Sequence, residues 1–342
     1  MGEGRARMAT IKDVARLANV SITTVSRVIN NKPEGVSEET RQRVLQVMEH
    51  LNYQPNRVAR GLVTRRTNTL GLILPDITNP FFPEIARAVE DTANKHGYNI
   101  ILCNTDDRSD KEELYIRVLK SKCVDGIVFT SSSMPVFKHV KQLRDYKMPF
   151  VLLDRHFYDE KLPGVYTDGY EGMYEITRYV LEMGHRKIAY IGGPHESPNS
   201  MYRYAGFEQA LKDFGLVLDK ELIVEGNYKI SGGSEGVLEL LKRGRDFTAV
   251  VCANDLMAIG AMEVLKGAGF RIPEDVSITG FDDIPMAKYV EPKLTTVAQP
   301  CYKMGEVATE LLIKLIEGKT VEDTVITLKP KLIIRNSVKK VI

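Results

Sequence analysis

The chain has 342 residues, 43% of them hydrophobic, too many for one core and enough for two or three domains. The net formal charge of +2 hides a partition, because residues 1–66 carry 12 basic against 6 acidic side chains and the remainder 35 against 39. A small basic module ahead of a mildly acidic body is the electrostatic footprint of a nucleic-acid-binding head on a soluble platform. No apolar run approaches the roughly 20 residues of a membrane span, and residues 1–7 lack the apolar stretch of a secretion signal. Those seven residues are expected to be a disordered tail ahead of a natural start at Met8. Cys103, Cys123, Cys252 and Cys301 have neither metal-ligand spacing nor a disulfide pattern, so they are expected as reduced core residues of a cytosolic protein.

In chain order, residues 8–54 read as a three-helix DNA-binding head. Ile11, Val14, Ala15 and Ala18 have helical spacing, Asn19 stands where a left-handed residue is needed, and Ser21 is placed to cap a second helix. That helix buries Val25, Val28 and Ile29. Ile22, Thr23, Ser26 and Arg27 lie on its other face, where short polar groups and a guanidinium suit base edges and phosphates of a major groove. Ser37 then caps a third helix with an acidic first turn and Val44, Val47, Met48 and Leu51 on one face.

Residues 55–66 form a hinge and linker. Pro55 breaks the third helix, Asn56 can cap the next segment, and Gly61 leaves that segment a marginal helix in isolation. Leu62 and Val58 on a basic hinge predict folding on DNA, with Leu62 wedged into a minor-groove step.

From residue 67 to 342, short apolar strands at 69–75, 98–104, 126–130, 150–154, 165–168, 187–192, 249–253, 276–280 and 295–299 alternate with amphipathic helices. Nearly continuous apolar strands between helices mean parallel sheet covered on both faces. The predicted fold class is therefore α/β: a helix-turn-helix head and hinge, then two doubly wound parallel-sheet lobes with a ligand cleft beyond the strand ends. Enzyme motifs fail. The chain has no Gly-x-Gly-x-x-Gly after its first core strand, no phosphate loop, no two-histidine metal motif and no elbow serine, and neither cofactor nor metal is expected. The six histidines are isolated, His185 being expected in a solvated or capping role. The charge runs at 111–113 and 242–245 are expected on solvated helix surface.

Asn79-Pro-Phe-Phe follows the first core strand and puts an amide and two rings, Phe81 and Phe82, at the mouth of the cleft. Two adjacent rings are not expected to point inward together on one helix face. Asp154 and Arg155 end the fourth core strand, and Arg203, Asn254, Asp282 and Gln299 fall at strand ends or helix starts. Tyr228 is a further candidate stacking wall. Carboxylates, amides and guanidinium groups around aromatic faces suit a sugar, bridging its hydroxyls and packing on its C–H faces.

Five segments, Ala9–Ala15, Val20–Asn30, Pro55–Leu62, Cys252–Gly260 and Ile272–Asp282, make the chain resemble the lactose-repressor/galactose-repressor family of bacterial transcription regulators. The likeness runs from Ala9 to Ser337. It implies a cytoplasmic homodimer, on the nucleoid when bound to a pseudo-palindromic operator, with a core like the periplasmic sugar-binding proteins. It implies three crossings between lobes, the first lobe holding about 67–166 and 300–326 and the second about 167–299 and 327–342. By position it places base reading on Ile22, Thr23 and Arg27, hinge contacts on Val58, Ala59 and Leu62 with Asn56 as cap, and the effector against the cleft residues named above. Ile22 departs from the polar or aromatic residues often found there and favours a thymine methyl. Arg155 and Ser197 stand where purine-responsive members carry Trp and Arg, which disfavours a purine. The alternative is a global carbon regulator controlled by a phosphoprotein corepressor; the Asp154-Arg155 pair disfavours it. A sugar-transport protein shares the core but conflicts with the basic head.

Overall fold

Thr10 opens the first helix with a reciprocal cap, its hydroxyl accepting from the Asp13 N–H while the Asp13 carboxylate accepts from the Thr10 N–H at 3.0 Å. The computed structural model describes residues 9–30, 34–53, 66–131, 136–155, 162–244 and 246–341. It comprises two compact units, Met1–Thr67 and Asn68–Ile342.

In the first unit, α1 (Ile11–Leu17) ends before Asn19, whose φ of 50° makes the left-handed turn. The Ser21 hydroxyl accepts from the Thr24 N–H at 3.0 Å to start α2 (Ile22–Ile29), and Ser37 does the same for Thr40 at 3.2 Å ahead of α3 (Glu38–His50). Each such cap is worth about 1 kcal/mol. Val14, Ala15, Ala18, Val25, Val28 and Val44 form the core, while Ile29, Val47, Met48 and Leu51 are partly buried around it. Arg43 Nε donates to the Ala18 carbonyl at 3.0 Å and ties α3 to the end of α1.

The second unit holds two sheets. In the first, β1 (Thr69–Leu74), β2 (Asn99–Asn104), β3 (Gly126–Phe129), β4 (Phe150–Leu153), β5 (Gly164–Thr167) and a late strand run parallel. That late strand is Val325–Leu328, two residues beyond the boundary expected at 326, and it pairs with β5 at the sheet edge. One face is covered by α4 (Phe81–Lys95) and by Cys301–Ile316, the other by α5 (Ser109–Ser121) and α6 (Val136–Asp145). Apolar layers on both sides explain why β1, β3 and β4 read as unbroken hydrophobic runs.

In the second lobe, α7 (Gly169–Glu182), β6 (Ile188–Gly192), α8 (Pro198–Asp213), β7 (Ile223–Glu225), α9 (Ile230–Lys242), β8 (Ala249–Cys252), α10 (Asp255–Gly267) and β9 (Ser277–Thr279) follow in turn. Its parallel sheet has the order β7-β6-β8-β9. Beyond it, β10 (Thr296–Ala298) pairs antiparallel with Lys331–Ile333, the last strand. Numbering completes with α11 (Cys301–Ile316), β11 (Val325–Leu328) and β12 (Lys331–Ile333). The chain therefore crosses between lobes after β5, after β10 and after β11. β7 and β11 were not expected from the sequence, being three and four residues of mixed polarity whose strand state comes from their partners, and β12 was expected only as the last strand that the resemblance implies for the second lobe.

Three expectations about polar residues need correction. Cys103, Cys252 and Cys301 are buried, but Cys123 is exposed, in the left-handed turn that ends α5. Glu112, in the first charge run, is fully buried, because it shares the inward face of α5 with Ile116 and Leu119. Its Oε2 lies 3.0 Å from Nδ1 of His139, equally buried, so that histidine is not isolated. His185 is not solvated either: its ring pairs with the Thr248 hydroxyl at 2.9 Å and the Lys339 carbonyl at 3.1 Å, and burial holds its pKa below the usual value.

Candidate functional site: an exposed helix face and an interlobe cavity

In the first unit, burying Val25 and Val28 turns the opposite face of α2 outward. Ile22, Thr23 and Arg27 are exposed; Ser26 is half-buried and its hydroxyl accepts from Asn30 Nδ2 at 3.2 Å. Arg27 Nη1 lies so close to Gly35 that a Cβ there would come within 2.8 Å of it. The face offers methyl groups, one hydroxyl and a guanidinium on a helix that stands proud of its core. Asn56, Val58, Ala59 and Leu62 lie outside the described residues.

In the second unit, a cavity of about 460 Å³ opens between the lobes. Asn79, Phe81, Phe82, Asp154, Arg155, Arg203, Tyr228, Asn254, Asp282 and Gln299 all line it. They meet there because all but Arg203, which lies in the second turn of α8, sit just beyond a strand or at a helix start, and both lobes aim those ends at each other.

From the first lobe, the Asn79 side chain accepts from the Phe81 N–H at 3.1 Å and shapes the turn into α4. Phe81 and Phe82 meet edge to face with centroids 5.0 Å apart, and each is only 5% exposed. Both rings therefore point inward, contrary to expectation. Phe81 is the first helical residue, so no preceding turn crowds its ring away from the core. Asp154 follows β4 with a φ of 68° and accepts from Asn199 Nδ2, on α8 of the other lobe, at 3.1 Å. Arg155 turns instead to Asp107, 3.4 Å away.

From the second lobe, Arg203 is buried with its guanidinium 3.9 Å over the Phe281 ring. Its Nη1 donates to the Ala253 carbonyl at 2.6 Å and its Nη2 lies 3.6 Å from Asp282. Gln299 donates to the same Asp282 oxygen at 2.7 Å. Asn254 spends its amide internally, capping α10 through the Met257 N–H at 3.0 Å and donating to the Tyr228 carbonyl at 2.9 Å. It thereby holds Tyr228 at a φ of 61°, with the phenol 2.6 Å from the Ser200 hydroxyl.

Sequence reasoning missed Asn199, which reaches across the cleft, and Asp255, which braces it. Asp282 and Asp283 have φ values of 118° and 57°, a costly pair for non-glycine residues. Fully buried Asp255 accepts from the Ile284 N–H at 2.8 Å and the Thr296 hydroxyl at 2.5 Å, and Arg335 holds Asp283 at 2.5 Å, so the loop is clamped from both sides. An Asp at the first position of a helix was the available signal for Asp255; nothing local distinguished Asn199.

Burial pushes the Asp282 carboxyl up to about 7, against the pull of Arg203 and Gln299, and raises Asp154 and Asp255 as well. Arg203 keeps its charge, since Asp282, Tyr228 and Asp154 outweigh the desolvation that opposes it. For Asp282 the folded state then holds a proton that the unfolded state, near 3.9, has released. The native form binds more protons between those values, so stability falls as pH rises from about 4 to about 7. We expect the melting temperature of the ligand-free protein to drop across that interval and Asp282→Asn to flatten the drop; an unchanged slope in the variant would remove Asp282 as its source.

A basic three-helix head with an exposed second helix, and a two-lobed parallel-sheet core closing on a polar cavity, define a DNA-binding regulator built on a binding-protein core. Residues 10–56 match the model of the bacterial regulatory proteins of the lacI family, and 67–336 that of the periplasmic binding proteins and sugar binding domain of LacI family. The chain belongs to the LacI family; it is a transcriptional regulator and not an enzyme. It is 43% identical over 332 residues to the HTH-type transcriptional regulator RegA of Clostridium saccharobutylicum, covering 96% of this chain and 99% of that one. The ribose operon repressor of Halalkalibacterium halodurans is 41% identical over 332 residues, with 97% and 98% covered. Among solved structures, the lac repressor dimer bound to operator and an anti-inducer superposes with a TM-score of 0.85 at 26% identity, covering 97% of this chain and all of that one. No helix among the described residues is long and apolar enough to cross a membrane.

Proposed function

We propose that this chain is a repressor of carbohydrate-utilisation genes that binds a pseudo-palindromic operator as a homodimer and is controlled by a small sugar in the interlobe cleft. The observation that carries this reading is the convergence of Asp154, Arg203, Asp282, Gln299 and two phenylalanine rings on one cavity. Paired carboxylate and guanidinium groups bridge adjacent hydroxyls, and the rings cover a C–H face. The ribose operon repressor and the operator-bound lac repressor dimer support the sugar and the dimer. Ile22, Thr23, Ser26 and Arg27 read the major groove, with Asn56, Val58, Ala59 and Leu62 in the minor groove; the protein acts in the cytosol, on the nucleoid. Sugar binding changes the angle between lobes at the dimer interface, and this decides whether two hinges fold side by side on DNA.

A thermal-shift screen of pentoses, hexoses and purines tests the effector. A ligand at 100 times its Kd adds about 2.7 kcal/mol of stability, a rise of roughly 5–11 °C for a core of this size. Silence across all sugars moves the weight to control by a phosphoprotein corepressor. Leu62→Ala is expected to weaken specific operator binding at least tenfold in a gel-shift titration while leaving the sugar-induced thermal shift unchanged; loss of both together would take Leu62 out of the DNA contact.

A further inference from the structure

The charges in the cleft bear on which sugars it admits, an inference that rests on the sugar reading above. We infer that the effector is an uncharged polyhydroxylated molecule that brings O–H donors to Asp154 and Asp282, and that phosphorylated sugars and sugar acids are turned away.

Asp154 and Asp282 face the cavity at 7% and 6% exposure, one from each lobe. The cation between them is Arg203: one nitrogen donates to the Ala253 carbonyl, another lies beside Asp282 and the plane stacks on Phe281, while its buried Nε has no hydrogen-bond partner among the described residues. Arg155 is turned to Asp107. Among the described lining residues, four carboxylates (Asp76 and Asp107 with the buried pair) meet three cations, of which Lys229 is exposed. Burial pushes both carboxyls toward protonation, and the pull of Arg203 does not cancel it. A phosphate would add about −1.5 to −2 to that site.

The buried carboxyls still call for donors. Asn199 occupies one oxygen of Asp154 and Gln299 one oxygen of Asp282, so each carboxylate keeps a second oxygen for hydroxyl hydrogens. Neighbouring hydroxyls of a polyol fill both at once. The Asn199 contact spans the lobes, so a ligand hydroxyl that replaces it takes over a bond that already joins α8 to β4.

Isothermal titration of the full chain with matched probes decides the matter: D-ribose against D-ribose 5-phosphate, and D-glucose against D-glucose 6-phosphate and D-gluconate. We expect a neutral sugar to bind and its charged counterpart to bind at least 100-fold more weakly. Asp154→Asn and Asp282→Asn, each near-isosteric, are expected to weaken the neutral sugar and to narrow that ratio at least tenfold. A phosphate or acid that binds as tightly as its parent overturns the inference and leaves the sugar reading standing. A ratio unmoved in both variants overturns the role of charge. Silence with every probe overturns the sugar reading and this inference with it.

Discussion

Arg203→Met is expected to abolish the response to sugar and to leave operator binding by the free protein in place. The methionine keeps an unbranched apolar stem against the Phe281 ring but removes the guanidinium that lies 3.9 Å over that ring and 3.6 Å from Asp282. The Ala253 carbonyl loses its 2.6 Å donor. Two buried carboxyls then face the cavity without their cation. Removing one partner of a buried ion pair costs roughly 3–5 kcal/mol; here protonation of Asp154 and Asp282, already pushed upward by burial, holds the loss to the lower end. At about 2–4 °C per kcal/mol the melting temperature falls by roughly 6–12 °C. Effector affinity falls at least 100-fold, since a charge-assisted bond to a bound hydroxyl is worth about 1.5–3 kcal/mol and its loss also leaves the carboxyls protonated as poorer acceptors. Calorimetry with the sugar found in the thermal screen, beside gel shifts with and without it, reads both effects. A variant that still releases operator on adding sugar would remove Arg203 from the effector site.

The largest stability loss is expected from Gly233→Val. On α9 and α10 the two backbones touch: a Cβ on Gly233 would overlap the Met257 carbonyl, and one on Gly260 would overlap the Ile230 carbonyl. Overpacking against side chains costs about 1–3 kcal/mol because rotamers yield. Helix backbone cannot yield that way, so the helices must part, and the cost should exceed about 4 kcal/mol, in the range reserved for disrupted cores. The displacement also reaches function, because Lys229, Ile230 and Ser231 at the head of α9 and Asn254 and Leu256 at the head of α10 line the cavity. We expect the melting temperature to fall by more than about 8 °C and sugar binding to be lost with it. Gly267→Ala, with open space around its Cβ near the end of α10, is the control and should leave stability unchanged or raise it by about 0.5–1 kcal/mol. Equal losses in both would show a general intolerance of these helices instead of a backbone contact.

The head was legible in nearly every detail because its determinants are local. Ser21 and Ser37 cap helices whose first turns they precede, Asn19 tolerates its own φ, and Val25 and Val28 are spaced to share one face. The core strands were legible where both faces are buried, and ten of the cavity-lining residues were legible because ligand sites in such sheets follow strand ends.

Buried polar groups were not legible, since a polar residue goes inside only when a distant partner satisfies it. Glu112 reads as one of three charges on a helix and becomes core through His139 on α6 and the Ser131 hydroxyl. His185 depends on a carbonyl 154 positions away, Asp255 on a hydroxyl 41 positions away, and Asn199 on a carboxylate in the other lobe. Even within the cavity the sequence could name the residues without assigning their duties: Asn254 proves to be spent on a cap and a carbonyl, while Asp154 and Asp282 keep oxygens open. Periodicity, caps and strand-end position thus determined the class of protein, the succession of its helices and doubly buried strands, and ten of the residues that line its cavity. The tertiary structure alone decided which charges are buried, which are already paired and which remain for a ligand, because those properties belong to pairs of residues that spacing along the chain does not relate.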